Sequence, residues 1–222
     1  LEQELIHSER LASVGRLAAG VAHEIGNPIT GIACLAQNLQ YESENAETLE
    51  AAEQILSQTD RVSRIVHSLV SFSHSGQNKR SEFEAVNLRE CAHEAIQLLS
   101  LQKDYNEVVF HNNIAPNAIV AGDSQHIIQV FINLLSNARD ASPPQGRVML
   151  DSSEDEYSIM FSVTDEGSGI PPDKMDQILE PFFTTKDPGE GTGLGLAMVY
   201  SIIEDHGGNL EIVSPVDKVT PY

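Results

Sequence analysis

The sequence predicts two parts of different class, an N-terminal helical hairpin followed by a mixed α/β domain. Three observations carry this. Apolar or small residues recur at alternating spacings of three and four over residues 11–39. A polar, glycine-containing segment at 73–84 interrupts the helical patterning. Beyond it, short Val/Ile-rich runs alternate with helix-length stretches.

The first helix is read from Leu11, Val14, Ala18, Val21, Ile25, Pro28, Ile32, Leu35 and Leu39, an a/d seam. YESENAE, 41–47, breaks the pattern and offers Asn45 as N-cap of a second helix. That helix carries Ile55, Val62, Ile65, Leu69 and Phe72 on one stripe. One hairpin cannot cover both apolar faces, so a homodimer forming a four-helix bundle is expected. SHSGQNKRSEFE, 73–84, has the composition of a linker, which gives a division into 1–74, a linker over 75–86, and 87–222.

In the second part, Asn87-Leu-Arg-Glu90 reads as a capping box that opens a helix. EVVFHNNI and AIVAG read as strands, 123–141 as a helix, and RVMLDSS with YSIMFSVTD as a strand pair. A Gly/Pro-rich stretch precedes a helix near 193–206 and a last strand at NLEIVS.

At 222 residues the chain can bury a sizeable core. Its formal net charge of -20 argues against general nucleic-acid binding and against a membrane-surface role. A phosphate-bearing ligand would need a metal ion or local donors. Two cysteines without CxxC spacing, Cys34 and Cys91, argue against a disulfide framework or zinc site and point to a reducing compartment. Cys34, just off the seam, is expected in packing. There is no apolar run of membrane-spanning length and no signal peptide, and helical patterning is already under way at Leu1. The expectation is a cytoplasmic fragment, with any membrane anchor in segments outside it.

VAHEIGNPIT, 21–30, is over-specified for packing. With Val21 at a d position, His23 falls at f, on the outer face. A neutral imidazole there is a nitrogen nucleophile near neutral pH, and Glu24 is a candidate general base. Asn27 lies one turn on, while Gly26 and Pro28 loosen the helix. The plainer alternative is an exposed histidine without a role. The stretch resembles the phospho-acceptor box of two-component sensor histidine kinases, His-Glu-x-x-Asn/Thr-Pro, and the match extends upstream through LASVGRLAAGVA. The resemblance implies that His23 takes a phosphoryl group and that Glu24 acts as base. Asn27 would position water when a phosphorylated response regulator is dephosphorylated.

Four downstream pieces carry a second signature. In FINLLSNARDAS, 131–142, Asn133 and Asn137 share a helix face, and amide oxygens suit a hard cation. Ordinary helix polarity is the alternative. In TDEGSGIP, 164–171, Asp165 ends a strand where a carboxylate can accept from an adenine amine. Gly167 and Gly169 allow close backbone approach there, although a plain turn fits as well. EPFFTTK, 180–186, supplies two aromatics and the positive charge of Lys186, with a core cluster as the alternative. In GEGTGLGLAMV, 189–199, Gly191, Gly193 and Gly195 open a helix whose N-terminus is an anion site. It is not a dinucleotide fingerprint, since G-x-G-x-x-G is not met and no βαβ unit surrounds it.

In this order the four resemble the N, G1, F and G2 boxes of the histidine-kinase ATP-binding domain, an α/β sandwich shared with gyrase, Hsp90 and MutL. The resemblance implies ATP and Mg²⁺ as cofactors, with Asn137 ligating Mg²⁺, Asn133 assisting at the phosphates and Asp165 reading adenine. Gly167, Gly169, Lys186, Gly191, Thr192, Gly193, Leu194 and Gly195 would complete the nucleotide site, under a lid from about 171 to 192. The implied function is an ATP-dependent histidine autokinase that passes its phosphoryl group to an aspartate of a response-regulator receiver domain. Two alternatives stand beside it. One is an ATP-binding pseudokinase acting as a dimeric interaction module. The other is a gyrase- or Hsp90-type ATPase, against which Gln129, not a glutamate, stands four residues before Asn133. His7, His67, His74, His93, His111, His126 and His206 lack metal spacing and read as structural or solvated.

Overall fold

The computed structural model describes residues 25–74, 83–101, 108–186 and 191–214. The chain divides into two compact units, Leu1–Gly76 with Pro181–Leu194, and Gln77–Glu180 with Gly195–Tyr222.

In the first unit, α1 (25–42) and α2 (Ala46–His74) are joined by a turn of residues 43–45. Asn45 caps α2: its Oδ1 accepts from the Glu47 N–H at 2.9 Å and its carbonyl from the Leu49 N–H at 3.0 Å. Ala36 and Ala52, 1% and 0% exposed, sit at equal distances from the turn. Burial of two small residues in this arrangement is what closely approaching antiparallel helices produce. The buried Thr59 satisfies its hydroxyl by donating to the Leu56 carbonyl at 2.8 Å. The expected apolar stripe is present but uncovered within one chain: Ile25, Ile32, Leu35, Leu39 and Ile55 are exposed, Leu35 at 66%. Cys34, expected in packing, is exposed within one chain, as that stripe is. The hairpin interior is closed by alanines instead. Helix α1 runs unbroken through Pro28, and the Gly26 carbonyl accepts from Thr30 Oγ1 at 2.9 Å.

The second unit orders β1 (Glu84–Asn87), α3 (Leu88–Ser100), β2 (Val109–Asn112), β3 (Ile119–Gly122), α4 (Ser124–Ala141), β4 (Arg147–Glu154), β5 (Ile159–Thr164) and α5 (Gly195–Asp205). Strands β1 and β3 pair antiparallel. A second sheet has the order β2-β4-β5, with β2 parallel and β5 antiparallel to β4. Strand β1 begins inside the segment expected as linker, because Val86 is apolar enough to bury opposite Val120. Asn87 caps α3, accepting from the Arg89 and Glu90 N–H groups, and Asp123 caps α4 in the same way through Gln125 and His126.

The core lies between helices and sheet. Leu88, Cys91, Ala92, Ala95 and Leu99 of α3 meet Ile127, Phe131, Leu135 and Ala138 of α4 and Val148 and Leu150 of β4. Phe131 packs on Phe161 at 4.9 Å. The spacing of four, four and three on α4 turns one face inward, and Asn133 and Asn137 are left on another. NLEIVS forms no strand among the described residues. A β-patterned run becomes a strand only where a neighbouring backbone supplies its ladder. Here the described contact is a side-chain one, Ser214 Oγ accepting from the Ile170 N–H at 2.7 Å.

Candidate active site

Asn133, Asn137 and Ala141 occupy successive turns of one face of α4, a span of about 12 Å at 1.5 Å per residue. Asn133 is held by protein: its Oδ1 accepts from Gln129 Nε2 at 3.3 Å, and its Nδ2 donates to Met198 Sδ at 3.4 Å. The half-buried Asn137 amide has no hydrogen-bond partner among the described residues. Both amides face the first residue of α5. A Cβ built on Gly195 would lie 3.8 Å from Asn133 Oδ1 and 3.8 Å from Asn137 Nδ2. Helix α5 is fixed by its buried Ala197, Met198, Val199 and Ile202, so its free N–H groups are presented beside those amides.

The other end of the α4 face meets the turn after β5. A Cβ on Gly167 would come within 2.7 Å of the Ala141 carbonyl oxygen, so only glycine fits. Its N–H donates to Asp165 Oδ1 at 2.8 Å, and Gly169 takes φ 75°. One helix face thus carries two amides at one end and the Asp165 turn at the other.

Lys186 and residues 191–194 belong to the other unit, where they close a loop on itself. The Phe182 N–H donates to the Gly193 carbonyl at 2.9 Å. Gly193 has φ 67°, and a Cβ there would lie 2.3 Å from the Phe182 carbonyl carbon. Gly191 sits against Thr184 and Lys186, whose N–H donates to Thr184 Oγ1 at 3.2 Å. The Leu194 N–H donates to Thr192 Oγ1 at 3.4 Å, and the Leu194 side chain is fully buried. The sequence reading had all three glycines opening a helix. The helix starts at Gly195, and Gly191 and Gly193 serve the closure of the loop.

His23 and Glu24 lie outside the described residues, while Asn27 is exposed on α1. Among the described residues no cluster of three or more His, Cys, Asp or Glu could hold a metal. A hard divalent cation would therefore need ligand oxygens from a bound phosphate group in addition to the protein. The unpartnered Asn137 amide is an oxygen donor of the right class for that, so the residues fit Mg²⁺ held together with a triphosphate. No described helix is long and apolar enough to cross a membrane.

Two residues beside Asp165 escaped the sequence reading. Glu166 Oε2 accepts from the Arg147 N–H at 3.0 Å, and its Oε1 accepts from Arg147 Nε at 3.1 Å and Nη2 at 2.7 Å. Glu166 lies within TDEGSGIP, so the signal was present, but its partner is visible only once β4 and β5 are paired.

Comparison with known proteins identifies the family. Residues 122–220 match the family model described as histidine kinase-, DNA gyrase B- and HSP90-like ATPase. Residues 13–78 match the His Kinase A (phospho-acceptor) domain. Sporulation kinase A of Bacillus subtilis (strain 168) is 36% identical over all of this chain, which spans 36% of that relative's length. Among solved structures, the mycobacterial sensor histidine kinase MprB is 31% identical with a TM-score of 0.50, covering 56% of this chain and 80% of that one. Histidine kinase ThkA, in complex with response regulator protein TrrA, is 30% identical with a TM-score of 0.59, covering 93% of this chain and 59% of that one. The chain belongs to the two-component sensor histidine kinases, of which it carries the phospho-acceptor and ATPase-fold core.

Proposed function

We propose that this chain is an ATP-dependent protein-histidine kinase that phosphorylates His23 and passes the group to an aspartate of a response-regulator receiver domain. The observation that carries the proposal is the facing of Asn133 and Asn137 onto Gly195 at the N-terminus of α5. Two amides and a row of free N–H groups converge there in a chain whose residues 13–78 match a phospho-acceptor domain.

In this reading Asp165 accepts from the exocyclic adenine amine, Gly167 and Gly169 let the backbone approach the ring, and the helix N-terminus receives the phosphates. Asn137 ligates Mg²⁺ and Asn133 supports it at the phosphates. The cation supplies charge neutralisation, which a chain of net charge -20 needs. Lys186 and the 191–194 loop, assigned to the nucleotide by the family resemblance alone, would add further donors. A neutral ring nitrogen of His23 attacks the γ-phosphorus as the bond to the β,γ-bridging oxygen breaks and ADP leaves. Glu24 takes the proton from the other ring nitrogen. The protein's contribution is positioning and charge stabilisation.

The exposed stripe of Ile25, Ile32, Leu35, Leu39 and Ile55 supports a homodimer through the hairpin. A receiver domain as partner is supported by the ThkA relative, solved with a response regulator. Asn27, exposed on α1, would orient water in dephosphorylation of that partner.

The test incubates the chain with Mg²⁺ and γ-labelled ATP and follows protein-bound label and free phosphate together. Protein-bound label that moves onto an added receiver domain is expected. Steady phosphate release without labelled protein would replace the kinase reading with that of an ATPase.

A further inference from the structure

We propose that the Arg147–Glu166 pair is a positioning device for Asp165 that sets discrimination between adenine and other bases. This rests on the reading of Asp165 as the adenine contact. In the β4–β5 ladder Met149 faces Thr164 and Leu150 faces Val163. Continued by one step of two residues, the same register sets Arg147 opposite Glu166. The ladder ends at Met149–Thr164, two residue pairs before it, and the Glu166 side chain takes over. Its Oε2 accepts the Arg147 backbone N–H, at a position where a paired strand would offer a carbonyl, and its Oε1 accepts both Nε and Nη2.

Asp165 lies between this clamp and a second one. Gly167 is wedged against the Ala141 carbonyl and donates to Asp165 Oδ1. The residues on both sides of Asp165 are therefore tied, one to the start of β4 and one to the end of α4. Asp165 Oδ2 has no protein partner among the described residues and is left to a ligand.

The pair is unsuited to a mainly stabilising role. The Arg147 side chain is 64% exposed and that of Glu166 39% exposed, and ion pairs in that setting contribute little. What the two-nitrogen fork supplies is geometry, which a lysine cannot reproduce. The pair holds a carboxylate in place for a donor at the base edge. An adenine amine is such a donor, whereas the carbonyl of hypoxanthine is an acceptor that repels it.

The experiment measures the affinity of the whole chain for ATP and for inosine triphosphate, with thermal unfolding as the folding control. Variants are Asp165→Ala, Arg147→Ala, Arg147→Lys, Glu166→Gln and the Arg147→Ala/Glu166→Gln double. The preference for ATP should vanish in Asp165→Ala and fall by about threefold to tenfold in Arg147→Ala and Glu166→Gln. The double variant should lose no more than either single one. Arg147→Lys should fall between wild type and Arg147→Ala. If Asp165→Ala loses the preference but the pair variants keep it, or weaken both nucleotides equally, the positioning role is overturned while the nucleotide site stands. If Asp165→Ala keeps the preference, the reading of Asp165 falls, and this proposal with it.

Discussion

Gly195, the first residue of α5, lies against Asn137 of α4, with the position of its absent Cβ 3.8 Å from the amide nitrogen. The contact leaves room for one methyl group and no more. Gly195→Ala is therefore expected to fold with unchanged or slightly raised stability, by up to about 1 kcal/mol. ATP affinity should drop about tenfold, because the methyl occupies the approach to the helix N-terminus. Gly195→Leu should abolish binding. Calorimetric titration with ATP, paired with thermal unfolding, checks both statements.

Gly193 answers to a different constraint. At φ 67°, with a Cβ position 2.3 Å from the Phe182 carbonyl carbon, no side chain fits without moving the backbone. Gly193→Ala should break the Phe182–Gly193 hydrogen bond, and hydrogen exchange should show lost protection of the Phe182 amide. Amides of α3 and α4 should keep theirs, since the loop closes through its own contacts.

His206 ties three elements together. Its Nε2 accepts from the Asp123 N–H at 3.1 Å, and its Nδ1 lies 2.7 Å from the Ile202 carbonyl. The ring is therefore the Nδ1–H tautomer, donating to Ile202. It also stacks on Phe83 with centroids 4.5 Å apart. His206→Ala removes the acceptor that Asp123 uses at the start of α4 together with the ring contact. A loss of about 2–4 kcal/mol is expected in urea unfolding. His206→Asn should not recover it, because it lacks the ring.

Acid should loosen the β4–β5 turn. The Asp155 carboxylate accepts from the Tyr157 and Ser158 N–H groups and the Ser158 hydroxyl, which holds its pKa below the ordinary aspartate value. A carboxylate with a depressed folded value contributes stability that is full above the unfolded value. That contribution is lost as pH falls through the folded value. In an NMR titration the Tyr157 and Ser158 amides should shift together only on the acid side of the ordinary aspartate range. Asp155→Ala should remove that transition.

Local features were legible in the sequence where one physical rule decides them. Asn45, Asn87 and the 3.6-residue period of α4 foretold two caps and the shared face of Asn133 and Asn137, because capping and periodicity act within a turn or two. What failed depends on partners distant along the chain. His206 could not be assigned its role before Phe83, Asp123 and Ile202 were brought to it. Arg147 is ordinary until the β4–β5 register sets it opposite Glu166. NLEIVS has the alternation of a strand, but a ladder needs a neighbour that its own residues do not encode. The left-handed Phe182, φ 70°, was unreadable, since bulky residues rarely adopt that region and only its pairing with Gly193 accounts for it.

In the proposed reaction the α4–α5 site donates a phosphoryl group to His23. The most direct test compares wild type, His23→Ala and Asn137→Ala after incubation with Mg²⁺ and γ-labelled ATP. An acid-labile, base-stable label is expected on wild type, and none on either variant, with His23→Ala still binding ATP. Label that persists in His23→Ala, or its absence from wild type that binds ATP, would contradict it.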